Sequence, residues 1–281
     1  MIRVQDLAFS YTKRPFITGM NFDVKNGEIF GFLGPSGAGK STLQKILTGL
    51  LTTYAGSAVV NGVEVRRHDN AFYEHIGVDF EFPSLYEKLT ARENLRFFAS
   101  LYKKRQPIDP LLESVGLLQD ADKKVTDYSK GMKSRLNFIK ALLHDPELLF
   151  LDEPTSGLDP SNARLMKDII LGEKAKGKTI LLTTHNMYDA TELCDRVAFI
   201  VDGGLRVLDT PKNLIMSRGA STLRYTYARD GREEQAEIPL HSTGGDDLLQ
   251  RLIRENRLLS IHSSEPTLND IFMELTGRRL Q

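Results

Sequence analysis

A glycine-rich run near the N-terminus, Gly34–Thr42, constrains the fold of this chain more than any other feature. It fits the pattern of a glycine, four residues and then Gly-Lys-Ser, which lets the backbone close around phosphate oxygens and point N–H groups inward. The apolar run Phe30–Leu33 precedes it as a predicted buried strand, and Leu43, Ile46 and Leu47 follow at helical spacing. A strand, a glycine loop and a helix in this order predict a nucleotide-binding site.

The residues of this loop have separate expected tasks. The Lys40 ammonium is expected to reach the β- and γ-phosphates and to assist catalysis, and the Ser41 hydroxyl to ligate Mg²⁺. The dipole of the following helix directs its positive end at the same anion. The residues expected to bind the nucleotide are Gly34, Pro35, Ser36, Gly37, Ala38, Gly39, Lys40, Ser41 and Thr42.

An acidic pair follows a second predicted buried strand. The apolar run Leu148–Leu151 ends at Asp152 and Glu153. A carboxylate at the carboxyl end of a strand beside the phosphate loop is placed to anchor Mg²⁺, and we assign this role to Asp152. Glu153 is a candidate general base for the attacking water, a role typically worth about 10²- to 10⁴-fold in rate. The alternative is an acidic turn that simply ends a core strand.

Predicted strands and helices alternate along the first part of the chain. Strands are predicted at 179–183 and 197–201, the second as the last core strand, and helices at 162–175 and 187–194. Asn61-Gly62 is a strong hairpin signal. The alternation predicts an α/β fold with a parallel core sheet wound with helices.

The character of the sequence changes around Arg218, so we predict one domain over 1–218 and a small α+β accessory module over 219–281. Residues 220–238 alternate like strands, and 241–247 read as a polar loop. Thr267 and Asp270 have capping-box spacing at the start of a short helix over 267–275, and Gly277 is its stop signal.

Composition restricts the function. Lys+Arg and Asp+Glu both number 37, so the formal net charge is zero, which argues against sequence-independent nucleic-acid binding as the main activity. Cys194 is the sole cysteine, which excludes an intrachain disulfide and fits a reducing setting. No apolar run approaches the roughly 18–20 residues of a membrane span, so a membrane role is expected to come from a partner.

Five segments together resemble the nucleotide-binding subunit of ATP-binding cassette (ABC) transporters over about residues 1–215. The resemblance implies a P-loop ABC ATPase domain with an N-terminal antiparallel β part and a helical subdomain at about 85–143. It also implies ATP and Mg²⁺ as cofactors, and a head-to-tail dimer with two ATP molecules between the subunits. The segments are Gly34–Thr42, Tyr128–Met132, Leu148–Glu153, Ser156–Asp159 and Thr184–His185.

The resemblance assigns further roles by position. Tyr11 matches the aromatic residue that stacks on adenine, and Asp159 matches the aspartate of the loop joining the two sites. Ser129 and Gly131 match the signature residues that contact the γ-phosphate across the dimer. His185 matches the histidine that contacts the γ-phosphate and holds the attacking water.

Two departures from the family pattern stand out. The signature segment reads Tyr128-Ser129-Lys130-Gly131-Met132, with a lysine where the family has a glycine. Glu81 stands where the family generally has a glutamine that contacts Mg²⁺, and a carboxylate can also ligate that ion. Both departures resemble the ABC-2-type exporter branch, whose ATPase subunits serve separately encoded permeases.

The implied function is ATP hydrolysis that drives an integral membrane permease, with the chain cytoplasmic and peripheral on the inner face of the cell membrane. The working pair is a homodimer or a heterodimer, and no nucleic-acid partner is expected. Two alternatives stay open: an importer subunit, and a soluble ABC ATPase that acts on ribosomes or nucleic acid. The second lacks support from the sequence, because one phosphate loop is present and little room for an inserted coiled coil separates it from Asp152.

Overall fold

The computed structural model describes residues 1–219, 222–229, 231–264 and 266–277. The chain forms two compact units, which divide between Asp209 and Thr210. The sequence-based boundary lies later, at 218–219, so that the helix Pro211–Arg218 is part of the second unit in the structure.

The first unit contains two sheets and a set of surrounding helices. Its strands are β1 (Ile2–Phe9), β2 (Ile17–Val24), β3 (Ile29–Leu33), β4 (Ala55–Val60), β5 (Val63–Glu64), β6 (Ile76–Asp79), β7 (Leu148–Asp152), β8 (Thr179–Thr184), β9 (Arg196–Val201) and β10 (Gly204–Asp209). Its α-helices are α1 (Lys40–Leu47), α2 (Ala91–Ala99), α3 (Ile108–Ser114), α4 (Lys130–Lys140), α5 (Pro160–Ala175) and α6 (Met187–Leu193).

The larger sheet has the strand order β10-β9-β3-β8-β7-β6. All its neighbouring strands are parallel except β10, which pairs antiparallel with β9. Every residue of β3, β7 and β8 is buried, as expected of parallel strands covered on both faces. The register pairs Leu33 with Thr184 and Asp152 with Thr183, so the carboxyl ends of these strands meet at one edge. The predicted α/β class is confirmed.

The predicted core strand 197–201 is β9, whose residues are buried after Arg196, and an edge strand that was not predicted, β10, follows it. A tight turn at Asp202-Gly203, with both φ angles positive, leads into β10. Such a turn matches the twist of antiparallel strands. The residues of β10 are only half-buried apart from exposed Arg206, and this edge position explains why no long apolar run marks the strand.

A second, antiparallel sheet has the order β2-β1-β4-β5. Asn61 and Gly62 both have positive φ angles at the turn between β4 and β5, which confirms the predicted hairpin. Apolar side chains of this sheet share one buried cluster with Phe30 and Phe32 of the larger sheet and with Leu43 of α1. The phosphate loop is therefore held between a central strand and a buried helix.

Residues 91–140 contain the helices α2, α3 and α4. Thr90 and Glu93 form a capping box at the start of α2, and the Ser129 hydroxyl accepts a hydrogen bond from the Met132 N–H at the start of α4. At the other end of α4 the backbone lies close to β6, because a Cβ added at Gly77 would lie 2.2 Å from the Ala141 carbonyl oxygen. This approach fixes α4 to the edge of the parallel sheet.

Replacing Gly77 with alanine is expected to lower the free energy of unfolding by about 1–3 kcal/mol, because the new methyl group overpacks backbone that cannot move freely. Chemical denaturation measures the change. Gly172→Ala is the matched control: no atom lies within 4 Å of its added Cβ, and removal of a glycine from inside α5 should raise stability by about 0.5–1 kcal/mol. Equal behaviour of the two variants would contradict the packing described here.

The second unit is a small α+β module. Its elements are α7 (Pro211–Arg218), β11 (Thr222–Arg229), β12 (Arg232–Pro239), α8 (Asp247–Arg254), β13 (Leu258–Ser264) and α9 (Leu268–Thr276). The antiparallel sheet has the order β12-β11-β13, and Leu223, Tyr225 and Tyr227 pack with Leu249 and Leu252 of α8.

Two predictions for this module have clear outcomes. The capping box of Thr267 and Asp270 forms at the start of α9, and Gly277 ends that helix in the left-handed conformation, as predicted. The expected polar loop 241–247 is instead a 3-10 turn over 240–245, followed by α8. Asp246 caps α8 before leucines at helical spacing, a signal that the prediction missed. The predicted strand start at Ala220 lies outside the described residues, as do 278–281.

Membrane-spanning helices were searched for in the described part of the chain. None of its helices has the length and apolar character needed to cross a bilayer.

Candidate nucleotide-binding site

A cleft of about 220 Å³ lies at the carboxyl ends of the parallel strands. The glycine loop supplies one wall, the segment after β6 another, and the ends of β7 and β8 the floor. The cleft therefore brings together residues that are far apart in the sequence. It is lined by Phe16, Ser36, Gly37, Gly39, Lys40, Ser41, Thr42, Glu81, Asp152, Glu153 and His185.

A larger cleft of about 780 Å³ lies at the opposite, amino-terminal ends of β6, β7 and β8, where His75, Glu147 and Lys178 are among its lining residues. It has no glycine loop, and its charged groups form ion pairs such as His75–Glu147 and Lys178–Asp145. The smaller cleft is the candidate site, because backbone N–H groups, a lysine and carboxylates converge there.

The glycine loop requires its glycines for two different reasons. Gly39 has a φ of 112°, which L side chains rarely adopt. At Gly34 an added Cβ would lie 2.2 Å from the Ile200 carbonyl oxygen, so only glycine fits beside β9. The Ala38 N–H donates a 3.2 Å hydrogen bond to the Pro35 carbonyl oxygen, which closes the turn in front of α1.

Lys40 is held inside the loop. Its Nζ atom donates hydrogen bonds of 2.7 Å and 3.2 Å to the carbonyl oxygens of Gly34 and Pro35, and the residue is 7% exposed. Burial lowers the pKa of Lys40, and the nearby carboxylates, first Glu153 and then Asp152, oppose that shift. The ammonium and these carboxylates line the same cleft.

The two acidic residues at the end of β7, Asp152 and Glu153, are fixed by the end of β8. The Thr183 hydroxyl donates to the Asp152 carboxylate, and the Glu153 N–H donates a 2.9 Å hydrogen bond to the Thr183 carbonyl oxygen. Glu153 has a φ of 52°, an uncommon conformation for a residue with a side chain. Such strained positions cluster at functional sites.

Glu153 and His185 form a direct pair. The Nδ1 atom of His185 lies 2.8 Å from Oε1 of Glu153, and the Thr184 hydroxyl donates a 3.1 Å hydrogen bond to Oε2. The Glu153 side chain is 10% exposed and that of His185 is 46% exposed. A buried carboxylate oriented by two donors is therefore joined to a histidine that reaches into the open cleft.

Tyr11 lies beside the loop with its ring accessible. The residue is 58% exposed, and the Tyr11 hydroxyl is 3.0 Å from the Thr42 hydroxyl. The ring contacts Phe9 edge-on at 4.7 Å and Phe16 at 5.5 Å between centroids. A flat aromatic face is thus available next to the phosphate-loop helix.

Seven predicted residues do not line this cleft: Tyr11, Gly34, Pro35, Ala38, Ser129, Gly131 and Asp159. The first four belong to the glycine loop or lie beside it, whereas Ser129, Gly131 and Asp159 are in the segments that begin α4 and α5. Ser129 caps α4, and Asp159 caps α5 by accepting a 3.0 Å hydrogen bond from the Asn162 N–H. That backbone hydrogen bond lowers the pKa of Asp159. Within a single chain, Ser129, Gly131 and Asp159 do not complete the site.

The cleft supplies the oxygen ligands that Mg²⁺ prefers. The Ser41 hydroxyl and the carboxylates of Asp152 and Glu81 all line it. Within the described ranges, no three His, Cys, Asp or Glu side chains converge to hold a metal ion by themselves. This donor set fits Mg²⁺, which is usually bound by one or two carboxylates together with substrate phosphates.

Several functional neighbours were not predicted from the sequence. Thr183 and Thr184 orient the acidic pair, and Phe16 lines the cleft. Two polar residues at the end of the apolar strand β8 were a usable signal. Asp79, at the end of β6, accepts a hydrogen bond from Asn137 of α4, a pairing between distant segments that no local pattern indicates.

Asp79 makes stability depend on pH. Burial raises its pKa from 3.8 to about 7, with Lys140 and Asn137 acting in the opposite direction. Between about pH 4 and pH 7 the unfolded chain loses this proton before the folded chain does, so Asp79 lowers stability as the pH rises through that window. Asp79→Asn should therefore be more stable than the parent by about 2–4 kcal/mol at pH 8, with a smaller gain at pH 5.

Chemical denaturation at the two pH values measures this difference. Asp168→Asn, at an exposed position of α5, is the control and should show no such pH-dependent gain. A gain at Asp79→Asn that is equal at both pH values would contradict the assignment of the shift to this carboxyl.

Comparisons with known proteins agree with this geometry. The family model for the ABC transporter matches residues 17–156. A fluoroquinolones export ATP-binding protein of Mycobacterium tuberculosis is 52% identical, and the match covers 100% of this chain and 94% of that protein. The Nod factor export ATP-binding protein I of Rhizobium meliloti is 37% identical, over 100% of this chain and 89% of that protein.

A solved structure gives the same result. The ATP binding subunit of an ABC transporter matches with a TM-score of 0.71 and 31% identity, over 78% of this chain and 93% of that chain. The fold, the converging site and the full-length relatives agree, and the chain belongs to the ABC transporter family as an ATP-binding subunit with ATPase activity.

Proposed function

We propose that this chain binds and hydrolyses Mg²⁺-ATP to drive a separately encoded membrane permease that exports its substrate. The observation that carries the proposal is the convergence of Lys40, Ser41, Asp152, Glu153 and His185 on one cleft. Relatives named as export proteins for fluoroquinolones and Nod factor support the direction of transport.

The glycine loop binds the phosphates in this proposal. The N–H groups at residues 34–42 and the dipole of α1 attract the anion. Lys40 exchanges its bonds to the carbonyl oxygens of Gly34 and Pro35 for the β- and γ-phosphates. The exposed ring of Tyr11 stacks on the adenine.

Mg²⁺ is held by the Ser41 hydroxyl, with the Asp152 and Glu81 carboxylates, and when bound it neutralises charge on the phosphates. Thr183 keeps the Asp152 carboxylate oriented toward the cleft. Glu81 lies at the cleft wall and is exposed, so it reaches the ion through movement of its own side chain.

Glu153 acts as the general base. Its carboxylate accepts a proton from the attacking water, and the hydrogen bond from Thr184 keeps it oriented. His185, 2.8 Å from the same carboxylate, holds the water and contacts the γ-phosphate. A base that is fixed in advance in this way needs little reorganisation when water attacks.

Each complete site is formed by two subunits. Ser129 and Gly131 of one subunit contact the γ-phosphate bound to the loop of the other, where the capped start of α4 offers N–H groups and a positive dipole end. Asp159 joins the two sites. The position of these three residues outside the lining of their own cleft supports a head-to-tail dimer, formed by two copies of this chain or by this chain with a relative.

The permease is proposed to dock on an exposed apolar surface formed by Phe82, Tyr86, Phe97 and Leu101. All four are exposed, Phe82 by 79%, and the rings of Tyr86 and Phe97 lie 5.0 Å apart. Exposed apolar clusters of this kind mark interaction sites. Docking at this surface places the chain at the cytoplasmic face of the cell membrane. The surface begins at Phe82, directly after Glu81 in the sequence.

A pull-down from detergent-solubilised native cells tests the proposal. Tagged Glu153→Gln protein with ATP and Mg²⁺ should retain a membrane protein with several spans, and the additional substitution Phe82→Ser should release that protein while leaving ATP bound. Tyr188→Ser, at an 80% exposed residue of α6, is the control and should leave the membrane protein bound. Phe98→Ser is unsuitable as a control because the Phe98 ring packs on Tyr86. Recovery of ribosomes or DNA-repair proteins without a membrane protein would overturn the proposal.

A further inference from the structure

A second, narrow cleft of about 80 Å³ adjoins the nucleotide cleft. Three carboxylates, those of Glu81, Asp152 and Glu153, line both clefts. Lys40 lines the nucleotide cleft, and Lys130 of the signature segment lines the second. Two lysines thus face the same carboxylates from two sides, and only Lys40 has a role in the proposed function.

Glu81 and Lys130 carry opposite charges and line the same small cleft. Both side chains are exposed, and in the part of the chain that the structure describes neither forms an ion pair within 4.0 Å. Opposite charges that face one small cleft attract each other even through intervening water. The attraction favours conformations in which Glu81 stays in the cleft over those in which it extends into solvent.

Helix stability does not explain a lysine at this position. Lys130 is the first residue of α4, immediately after the capping Ser129, and the first turn contains no acidic residue. The amino end of a helix disfavours a cation because the helix dipole is positive there. The helix itself therefore gives no reason for a lysine here.

Within the same chain, the end of the Lys130 side chain lies beside Gly157. A Cβ added at Gly157 would lie 3.1 Å from Nζ and 3.3 Å from Cε of Lys130, so the end of the lysine rests on a residue without a side chain. Gly157 belongs to the loop 156–159 that follows Glu153. Lys130 thus connects the start of α4 to the loop beside the proposed general base.

We propose that Lys130 is a positioning residue for its own chain's hydrolysis site, where its ammonium group keeps Glu81 in the cleft beside Asp152 and Glu153. The proposal rests on the proposed function and adds a residue to it. The two departures from the family pattern, Glu81 and Lys130, then form one functional pair. Loss of either member removes the same interaction.

A double-mutant cycle tests the pair. Lys130→Met and Glu81→Gln remove each charge at nearly constant size, and steady-state ATP hydrolysis is measured for both variants and for the double variant. Each single substitution should lower kcat about three- to tenfold, and the double variant should be no slower than Glu81→Gln alone. The half-saturating Mg²⁺ concentration should show the same coupling, which a general loss of stability would not produce.

Lys133→Met is the matched control. Lys133 lies one turn further along α4 and forms a 2.7 Å ion pair with Glu87. The substitution Lys133→Met therefore removes the same charge from the same helix as Lys130→Met does. Its effect on kcat should be equal with and without Glu81→Gln.

Two results would overturn the inference alone. One is a double variant in which kcat falls by the product of the two single-variant reductions. The other is a Lys130→Met defect in ATP-dependent dimer formation that does not depend on Glu81, because that would place the ammonium on the partner's phosphate. Absence of ATP hydrolysis by the unsubstituted chain would instead overturn the proposed function, and the inference with it.

Discussion

Lys40→Ala is expected to weaken ATP binding by about 10- to 100-fold, because it removes a charge-assisted hydrogen-bond donor to the phosphates. Lys40 is 7% exposed and lies in the loop with its ammonium already ordered. The side chain therefore loses little conformational entropy when the ammonium contacts the phosphates. The alanine variant keeps the glycine backbone and the dipole of α1, which leaves a residual affinity. Titration calorimetry with ATP in the presence of Mg²⁺ measures the change.

Lys45→Ala is the control for this experiment. Lys45 is an exposed residue in the last turn of the same helix. The substitution Lys45→Ala therefore removes an equal charge at a position away from the cleft. Its ATP affinity should match that of the parent. If the ATP affinity of Lys40→Ala were unchanged, the assignment of the glycine loop as the phosphate-binding site would be contradicted.

Glu153→Gln should reduce the rate of hydrolysis by about 10²- to 10⁴-fold, the usual contribution of a general base, while ATP affinity stays within about twofold. The amide has almost the same shape as the carboxylate and still accepts a hydrogen bond from Thr184, but it cannot take a proton from water. ATP therefore stays bound between the subunits. Single-turnover hydrolysis and light scattering should show a slow reaction and an ATP-dependent dimer.

Glu113→Gln provides the matched control, because Glu113 is an exposed residue of α3 away from the cleft. It should hydrolyse ATP at the parental rate and form no persistent dimer. Near-parental turnover by Glu153→Gln would mean that another group activates the water.

The parts of the site that are local in sequence could be predicted. The apolar run Leu148–Leu151 indicated a buried strand, and the acidic pair after it had to emerge at the end of that strand. The glycine pattern indicated the loop because few residues permit a φ such as that of Gly39. Both motifs depend on neighbours in the chain, which is why composition and spacing were sufficient.

The remaining parts depend on contacts between distant segments. The hydrogen bond of Asn137 to Asp79 joins α4 to β6, and nothing in either segment specifies the other. The positive φ of Glu153 follows from its hydrogen bonds to β8 rather than from its own residue type. The edge strand β10 was missed because its half-buried residues form no apolar run.

Each ATP site should combine the glycine loop of one subunit with the signature segment of another. This arrangement is tested with two variants, both carrying Glu153→Gln and each with a different affinity tag. The first has Lys40→Ala. The second has Ser129→Asp, which keeps a good helix cap for α4. The negative charge of the new aspartate repels the phosphate. A mixed dimer of the two contains one site with an intact loop and an intact signature segment.

The measurement is ATP-dependent co-capture of the two tags. Co-capture is expected when the two variants are mixed, and none is expected when either variant is mixed with a differently tagged copy of itself. Equal self-capture of each variant with ATP, or no capture of the mixed pair, would contradict a site shared between subunits.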